Sequence, residues 1–164
     1  MENIKRSVKL GIIGCGVISH TYISDLKRLY QNDLEIMAVS DADESRARSV
    51  TEQYGIPRAC SVAELLDDPD IELVLNITPP ASHTQINLLL LAAGKHLFCE
   101  KPFALSLEDA QKVAAIAKEK GLLIGSAPDS FLGSSLSTCK KLIDDHWIGR
   151  PLYVTLNMMT CGVE

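Results

Sequence analysis

Residues 8–19 read Val-Lys-Leu-Gly-Ile-Ile-Gly-Cys-Gly-Val-Ile-Ser. An apolar run, Val8 to Ile13, breaks into Gly14, Cys15 and Gly16, and the residues after it open a helical pattern. The stretch predicts a buried strand, a tight turn and a helix, with G-x-G-x-x-S across the junction. Such a turn lets backbone N–H groups and the positive end of a helix dipole come close to a pyrophosphate. Gly14 supplies the sharp turn, Gly16 the room for phosphates, with Val17 and Ile18 opening the helix that receives them. Ser19 is the small residue where helix packs on strand, in place of the stricter glycine. Taken alone, these residues also fit a Gly-rich turn that binds nothing.

Outward from this junction the hydrophobic period switches repeatedly between that of a helix and that of a strand. Ile18, Tyr22, Leu26 and Leu29 share one helical face. A second apolar run, Leu34 to Val39, ends in Ser40 and Asp41. Asp43 caps a helix carrying Ala47, Val50 and Tyr54, which Gly55 and Pro57 stop. Ser61 and Glu64 form a capping box for a short helix. Ile71 to Ile77 is nearly all apolar, the pattern of a strand covered on both faces. Ile86, Leu89, Leu90 and Ala93 make a helical stripe ended by Gly94. A strand at His96–Cys99, a helix from Leu107 to Lys120 capped by Ser106, and a strand at Leu122–Ile124 complete the series. This alternation specifies an α/β fold, a doubly wound parallel sheet with helices on both faces, because right-handed crossovers leave few other arrangements.

From Leu152 the pattern changes. Leu152, Val154, Leu156 and Met158 alternate with Tyr153, Thr155, Asn157 and Met159, as in a strand of an antiparallel sheet with one buried face. A lone strand cannot bury that face. The expectation is therefore a nucleotide-binding domain over residues 1–125, and over residues 126–164 a linking segment and the first strand of a second, mostly antiparallel α+β domain that is truncated here.

Composition narrows the function classes. The chain has 164 residues, 46% of them apolar and 23% charged, with a net charge of −5. A net negative chain has no basic excess with which to displace phosphate counterions, which argues against nucleic acid and acidic membranes as partners. No stretch reaches the roughly 18 apolar residues of a membrane span, and the N-terminal residues lack the pattern of a signal peptide, so a cytoplasmic protein is expected. Five cysteines without a C-x-x-C pair indicate neither a disulfide framework nor a metal site. Cys15, inside the turn, is read as filling space, with a redox or ligand role as its alternative.

Several polar residues fall at the carboxyl ends of expected strands, where open α/β sheets bind ligands. Asp41 lies 22 residues after Ser19, close to where a dinucleotide fold sets a carboxylate against the adenosine ribose. A 2′-phosphate would meet like charge there, which favours NAD over NADP, although Arg46, a turn further on, could pair with such a phosphate. The bland reading of Asp41 is a strand end. Thr78, Pro79 and Pro80 form a stiff loop after the Ile71–Ile77 strand, and His83 near the next helix either faces a cofactor or serves the protein itself. Glu100, Lys101 and Pro102 leave the His96–Cys99 strand at the same edge. A lysine there loses solvent, which is unusual without a task, and it is placed to take a proton from a substrate hydroxyl. A Lys–Glu surface pair before a turning proline is the structural alternative.

In this order and spacing, Gly14, Gly16 and Ser19, Asp41, Thr78-Pro79-Pro80 with His83, and Glu100-Lys101-Pro102 after Gly94-Lys95-His96 resemble the glucose-fructose oxidoreductase/inositol dehydrogenase (Gfo/Idh/MocA) family. Ala127 to Gly133 and Leu142 to Asp145, leading to Ile148-Gly149-Arg150-Pro151, resemble the stretch that joins the two domains of its members. The resemblance implies an enzyme: an N-terminal Rossmann domain for NAD(P), a C-terminal sheet that shapes the pocket and the oligomer interface, and hydride transfer to or from a sugar, polyol or related hydroxyl substrate. On matching positions it makes Lys101 the catalytic residue, with Glu100, Pro102 and His83 on the cofactor side. It also implies that this chain alone lacks turnover and that the protein is a homo-oligomer. Two alternatives stand beside it: a non-catalytic nucleotide sensor on the same fold, and a domain for another adenine nucleotide such as S-adenosylmethionine, which gives Glu100-Lys101-Pro102 no purpose.

Overall fold

In the computed structural model, which describes residues 6–128, 132–155, 157 and 159, strands and helices follow one another over residues 8–126. They are β1 (Val8–Ile13), α1 (Val17–Leu29), β2 (Leu34–Ser40), α2 (Glu44–Tyr54), α3 (Val62–Asp67), β3 (Leu73–Asn76), α4 (His83–Ala92), β4 (His96–Cys99), α5 (Leu107–Lys120) and β5 (Ile124–Ser126). All strand pairings are parallel, in the order β2-β1-β3-β4-β5. The chain leaves β1 to one side for β2, then returns to the other side for β3. This reversal opens a crevice at the carboxyl edge beside β1.

Side-chain alternation distributes the apolar residues between two cores, one on each face of the sheet. Leu10 and Ile12 of β1 join Leu75 and Ile77 from the third strand segment, Ile23 of α1 and Val50 of α2. Ile13, Val74 and Leu97 join Leu65, Leu90 and Val113 from α3, α4 and α5 on the opposite face. The register between β1 and β2 slips at Leu10/Gly11. That slip lets Ile36 and Val39, three apart, face the same core.

Local chemistry sets the helix boundaries. Asp43 accepts from the Ser45 N–H at the start of α2, the full Ser61/Glu64 capping box starts α3, and Ser106 accepts from the Asp109 N–H at α5. Lys120 donates to the carbonyls of Leu91 (2.9 Å) and Ala92 (3.2 Å) at the end of α4, a position where a cation also suits the helix dipole.

Two strands differ from expectation. The core of Ile71–Ile77 pairs only over Leu73–Asn76, though Ile71 and Ile77 remain buried. The last strand starts at Ile124 rather than Leu122, because the Leu122 N–H is taken by the Ala117 carbonyl as α5 closes, and the Leu123 N–H by the His96 ring.

Residues 1–127 and 128–164 form two separate compact units. In the second, α6 (Ser134–Asp144) carries the ion pairs Lys140–Asp144 and Lys141–Asp145. The strand expected from Leu152 is not seen where it can be judged: 152–155 are exposed and unpaired, while Leu156 and Met158 lie outside the described residues. An amphipathic strand needs a neighbour to satisfy its backbone, and none is present among the described residues. No helix among the described residues is long and apolar enough to cross a membrane.

Candidate functional site: a dinucleotide cleft at the sheet edge

The turn after β1 is built around the back of Gly14. Its φ is +107°, and a Cβ there would stand 2.6 Å from the Ile77 carbonyl oxygen, so only a residue without a side chain lets β1 turn against the end of the third strand. Gly16 is the opposite case: a Cβ on it would meet nothing within 4 Å. That open volume lies immediately before α1, where Gly16 is the N-cap, no side chain caps the helix and no acidic residue occupies the first turn. Val17 is 92% exposed. The 13-residue helix therefore presents its positive end, with N–H groups unclaimed by side chains, to an open space, the condition for receiving an anion. Ser19 is fully buried, and its hydroxyl donates to the Gly16 carbonyl (2.6 Å), filling the small-residue place in the motif.

Asp41 ties this turn to the end of β2. One carboxylate oxygen accepts the Cys15 N–H (2.6 Å) and the other the Asp43 N–H (2.8 Å). A carboxylate has about four lone-pair sites, so acceptor capacity remains for hydroxyls of a ligand. Cys15 itself is buried, its thiol donating to the Ser40 carbonyl (3.7 Å). Burial and then the Asp41 charge push that thiol up to about 12. It therefore fills the turn rather than serving as a nucleophile.

A cleft of about 900 Å³ runs from this turn along the carboxyl edge of β2. Gly14, Gly16, Asp41, Arg46, Thr78 and Pro79 all line it. So do Ser61 and Glu64, whose capping box is visible in the sequence without its position beside the cleft being so. Four carboxylates on the lining, Asp41, Asp43, Glu44 and Glu64, outnumber its two guanidiniums, Arg46 and Arg48. Arg46 lies 3.5 Å from Asp43, and Arg48 is 2.9 Å from Glu44. Hydrogen bonds from Ser45 hold the Asp43 carboxyl below its ordinary range, and bonds with Ser61 do the same for Glu64.

The second group of expected residues sits at the ends of β3 and β4. His83 is fully buried, with its ring nitrogens 2.7 Å from the Thr78 carbonyl and 2.6 Å from the Pro102 carbonyl. Both nitrogens are engaged by the protein, and the ring joins the Thr78 loop to the Lys101–Pro102 loop. Beneath it, buried Asn76 donates to Asn87 (2.8 Å) and accepts from the Thr78 hydroxyl (2.7 Å). This network escapes a reading of periodicity; its one signal is an asparagine closing an otherwise apolar strand. Glu100 accepts from the Tyr22 hydroxyl (2.9 Å) and from the Lys101 N–H (2.6 Å). Lys101 is exposed, contrary to the expectation that it loses solvent on leaving the strand. Among the described residues the buried lysine is Lys95, 6% exposed, whose ammonium donates to the Asp68 carbonyl (2.5 Å).

A doubly wound parallel sheet with an open helix N-terminus behind G-x-G and an acidic residue at the end of the adjacent strand defines a dinucleotide-binding domain of the Rossmann class. Residues 8–127 match the model of the oxidoreductase family with an NAD-binding Rossmann fold (GFO_IDH_MocA), and the chain belongs to that family. It is 28% identical over 145 residues to a myo-inositol 2-dehydrogenase of Thermotoga maritima, covering 88% of this chain and 43% of that protein. In structure it is similar to a 3-ketoreductase of Actinomadura kijaniata in complex with TDP-benzene and NADP (TM-score 0.80, 26% identity, 88% of this chain and 44% of that one). It also matches a dehydrogenase of Chromobacterium violaceum in complex with NADH and UDP-GlcNAcA (TM-score 0.82, 23% identity, 88% and 42%). The chain thus spans less than half the length of these relatives.

Proposed function

We propose that this chain is the cofactor-binding part of an NAD(P)-dependent oxidoreductase that moves a hydride between nicotinamide and a sugar, polyol or related hydroxyl compound. The observation that carries the reading is the uncapped start of α1, open in front of Gly16 and bordered by the Asp41 cleft. In this reading the N–H groups of Gly16, Val17 and Ile18 hold the pyrophosphate, and Asp41 accepts from the adenosine ribose. Thr78, Pro79 and Pro80 wall the cofactor toward the third strand. When bound, the nicotinamide supplies the hydride acceptor and donor.

Lys101, exposed at the sheet edge beside Glu100 and Pro102, binds the substrate hydroxyl and takes up or returns its proton. The four cleft carboxylates against two guanidiniums disfavour an added 2′-phosphate, so NAD is preferred and Arg46 only softens the preference. His83 acts by holding the two loops in register. Residues 1–125 form the cofactor domain, and 126–164 lead to the part that supplies the substrate pocket. The 164-residue chain therefore binds cofactor without measurable turnover, and the full-length protein is a cytoplasmic homo-oligomer.

Fluorescence titration with NADH and NADPH tests the reading. The expected result is a millimolar or tighter Kd for NADH, weaker binding of NADPH, and loss of at least tenfold in NADH affinity, about 1.4 kcal/mol, in Asp41→Ala. A folded chain that binds neither nucleotide at millimolar concentration contradicts it.

A further inference from the structure

Helix α1 carries more than the phosphate-binding turn. Four residues after Ile18, on the same helical face, half-buried Tyr22 packs edge-on against Phe98 of β4 (6.4 Å between centroids, 63° between planes). Its hydroxyl donates to one oxygen of Glu100 (2.9 Å), and the other oxygen accepts the N–H of Lys101 (2.6 Å). The Glu100 N–H is in turn anchored on the Asn76 carbonyl of β3 (2.9 Å). Glu100 is thus fixed at its backbone by the sheet and at both carboxylate oxygens, from α1 on one side and from Lys101 on the other. Without the Tyr22 hydroxyl, the carboxylate keeps its bond to the Lys101 amide but loses the contact that fixes its direction.

We propose that Tyr22 is a positioning residue. Through Glu100 it sets where Lys101 leaves the sheet, so that the helix receiving the cofactor phosphates also fixes the lysine that meets the substrate. The proposal rests on the reading of Lys101 given above and adds the element that aligns it. A charge-assisted N–H···O bond of 2.6 Å is strong and directional, so turning the carboxylate turns the Lys101 backbone with it.

The test uses the 164-residue chain with isotope-labelled amides and isotopically methylated lysines, the Lys101 signal being assigned with Lys101→Arg. Tyr22→Phe keeps the ring on Phe98 and removes only the hydroxyl. In the ligand-free chain it is expected to displace the Lys101 amide resonance by several linewidths, with the urea midpoint little changed. Glu100→Gln, which keeps an uncharged and weaker acceptor, is expected to displace the same resonance. On addition of NAD, the methylated Lys101 signal shifts in the unmodified chain. In Tyr22→Phe that response falls by at least half, while NADH affinity stays within about threefold, the margin for independent sites. A Lys101 amide that coincides in Tyr22→Phe and the unmodified chain overturns the coupling. A methylated Lys101 signal that ignores NAD in the unmodified chain, while NADH binds, overturns instead the reading on which the proposal stands.

Discussion

Gly14 and Gly16, two residues apart, are expected to fail in opposite ways when each is changed to alanine. At position 14 the alanine would hold φ near +107° with its Cβ 2.6 Å from the Ile77 carbonyl oxygen and 2.7 Å from its carbon. The backbone conformation costs about 1–2 kcal/mol. The overlap falls on a main chain fixed in the sheet and adds about 1–3 kcal/mol. The total, roughly 2–5 kcal/mol, at about 2 kcal/mol per molar urea, lowers the unfolding midpoint by about 1–2.5 M. At position 16 the new methyl meets no protein atom within 4 Å, and the weaker N-cap costs about 1 kcal/mol, offset in part by a less flexible unfolded chain. Under the proposed function that same methyl intrudes on the phosphates, and NADH affinity is expected to fall at least tenfold, about 1.4 kcal/mol. Urea denaturation followed by circular dichroism, with NADH titration of each folded variant, separates the two. Gly14→Ala unfolding within about 0.3 M of the unmodified chain refutes the steric argument, and Gly16→Ala binding NADH unchanged refutes the assignment of that space.

Other outcomes follow from the same geometry. His83→Phe, which leaves the Thr78 and Pro102 carbonyls without their ring partner, should cost about 2–4 kcal/mol in urea denaturation. Iodoacetamide at mildly alkaline pH should label exposed Cys139, while buried Cys15 and Cys99, pushed up to about 12 and about 11, react only after unfolding; peptide mapping by mass spectrometry reads this out. Asp43 and Glu64 titrate lower in the folded chain than free carboxyls do. Their contribution is therefore present above about pH 4, lost as pH falls through their folded values, and the acid limb of a midpoint-against-pH curve should flatten in Asp43→Ala.

The parts of this protein written in local periodicity are legible in the sequence. The β1 turn, the helix caps at Asp43, Ser61 and Ser106, and the parallel alternation all depend on residues near one another in the chain. The third and fifth strands start later than their apolar patterns because the leading amides are claimed elsewhere, that of Ile71 by the Asp68 carbonyl and those of Leu122 and Leu123 by the Ala117 carbonyl and the His96 ring. Contacts across elements are what periodicity cannot carry. Tyr22 reads as one more residue of an apolar stripe, and its hydroxyl meets a carboxylate 78 positions away. His83 is legible as a residue at the sheet edge, but only folding shows both ring nitrogens on carbonyls. For Lys101 the strand pattern predicts burial, whereas the chain turns outward at Glu100-Lys101-Pro102 and leaves the side chain in solvent.

The most direct measurement is the map of amide resonances displaced when NADH is added to the labelled chain. The account predicts that the largest displacements fall on Gly14 to Ile18 and on Asp41 to Asp43, with smaller ones at Thr78 and Lys101. Saturable displacements centred elsewhere on the sheet, with the amides at the start of α1 unmoved, would contradict it.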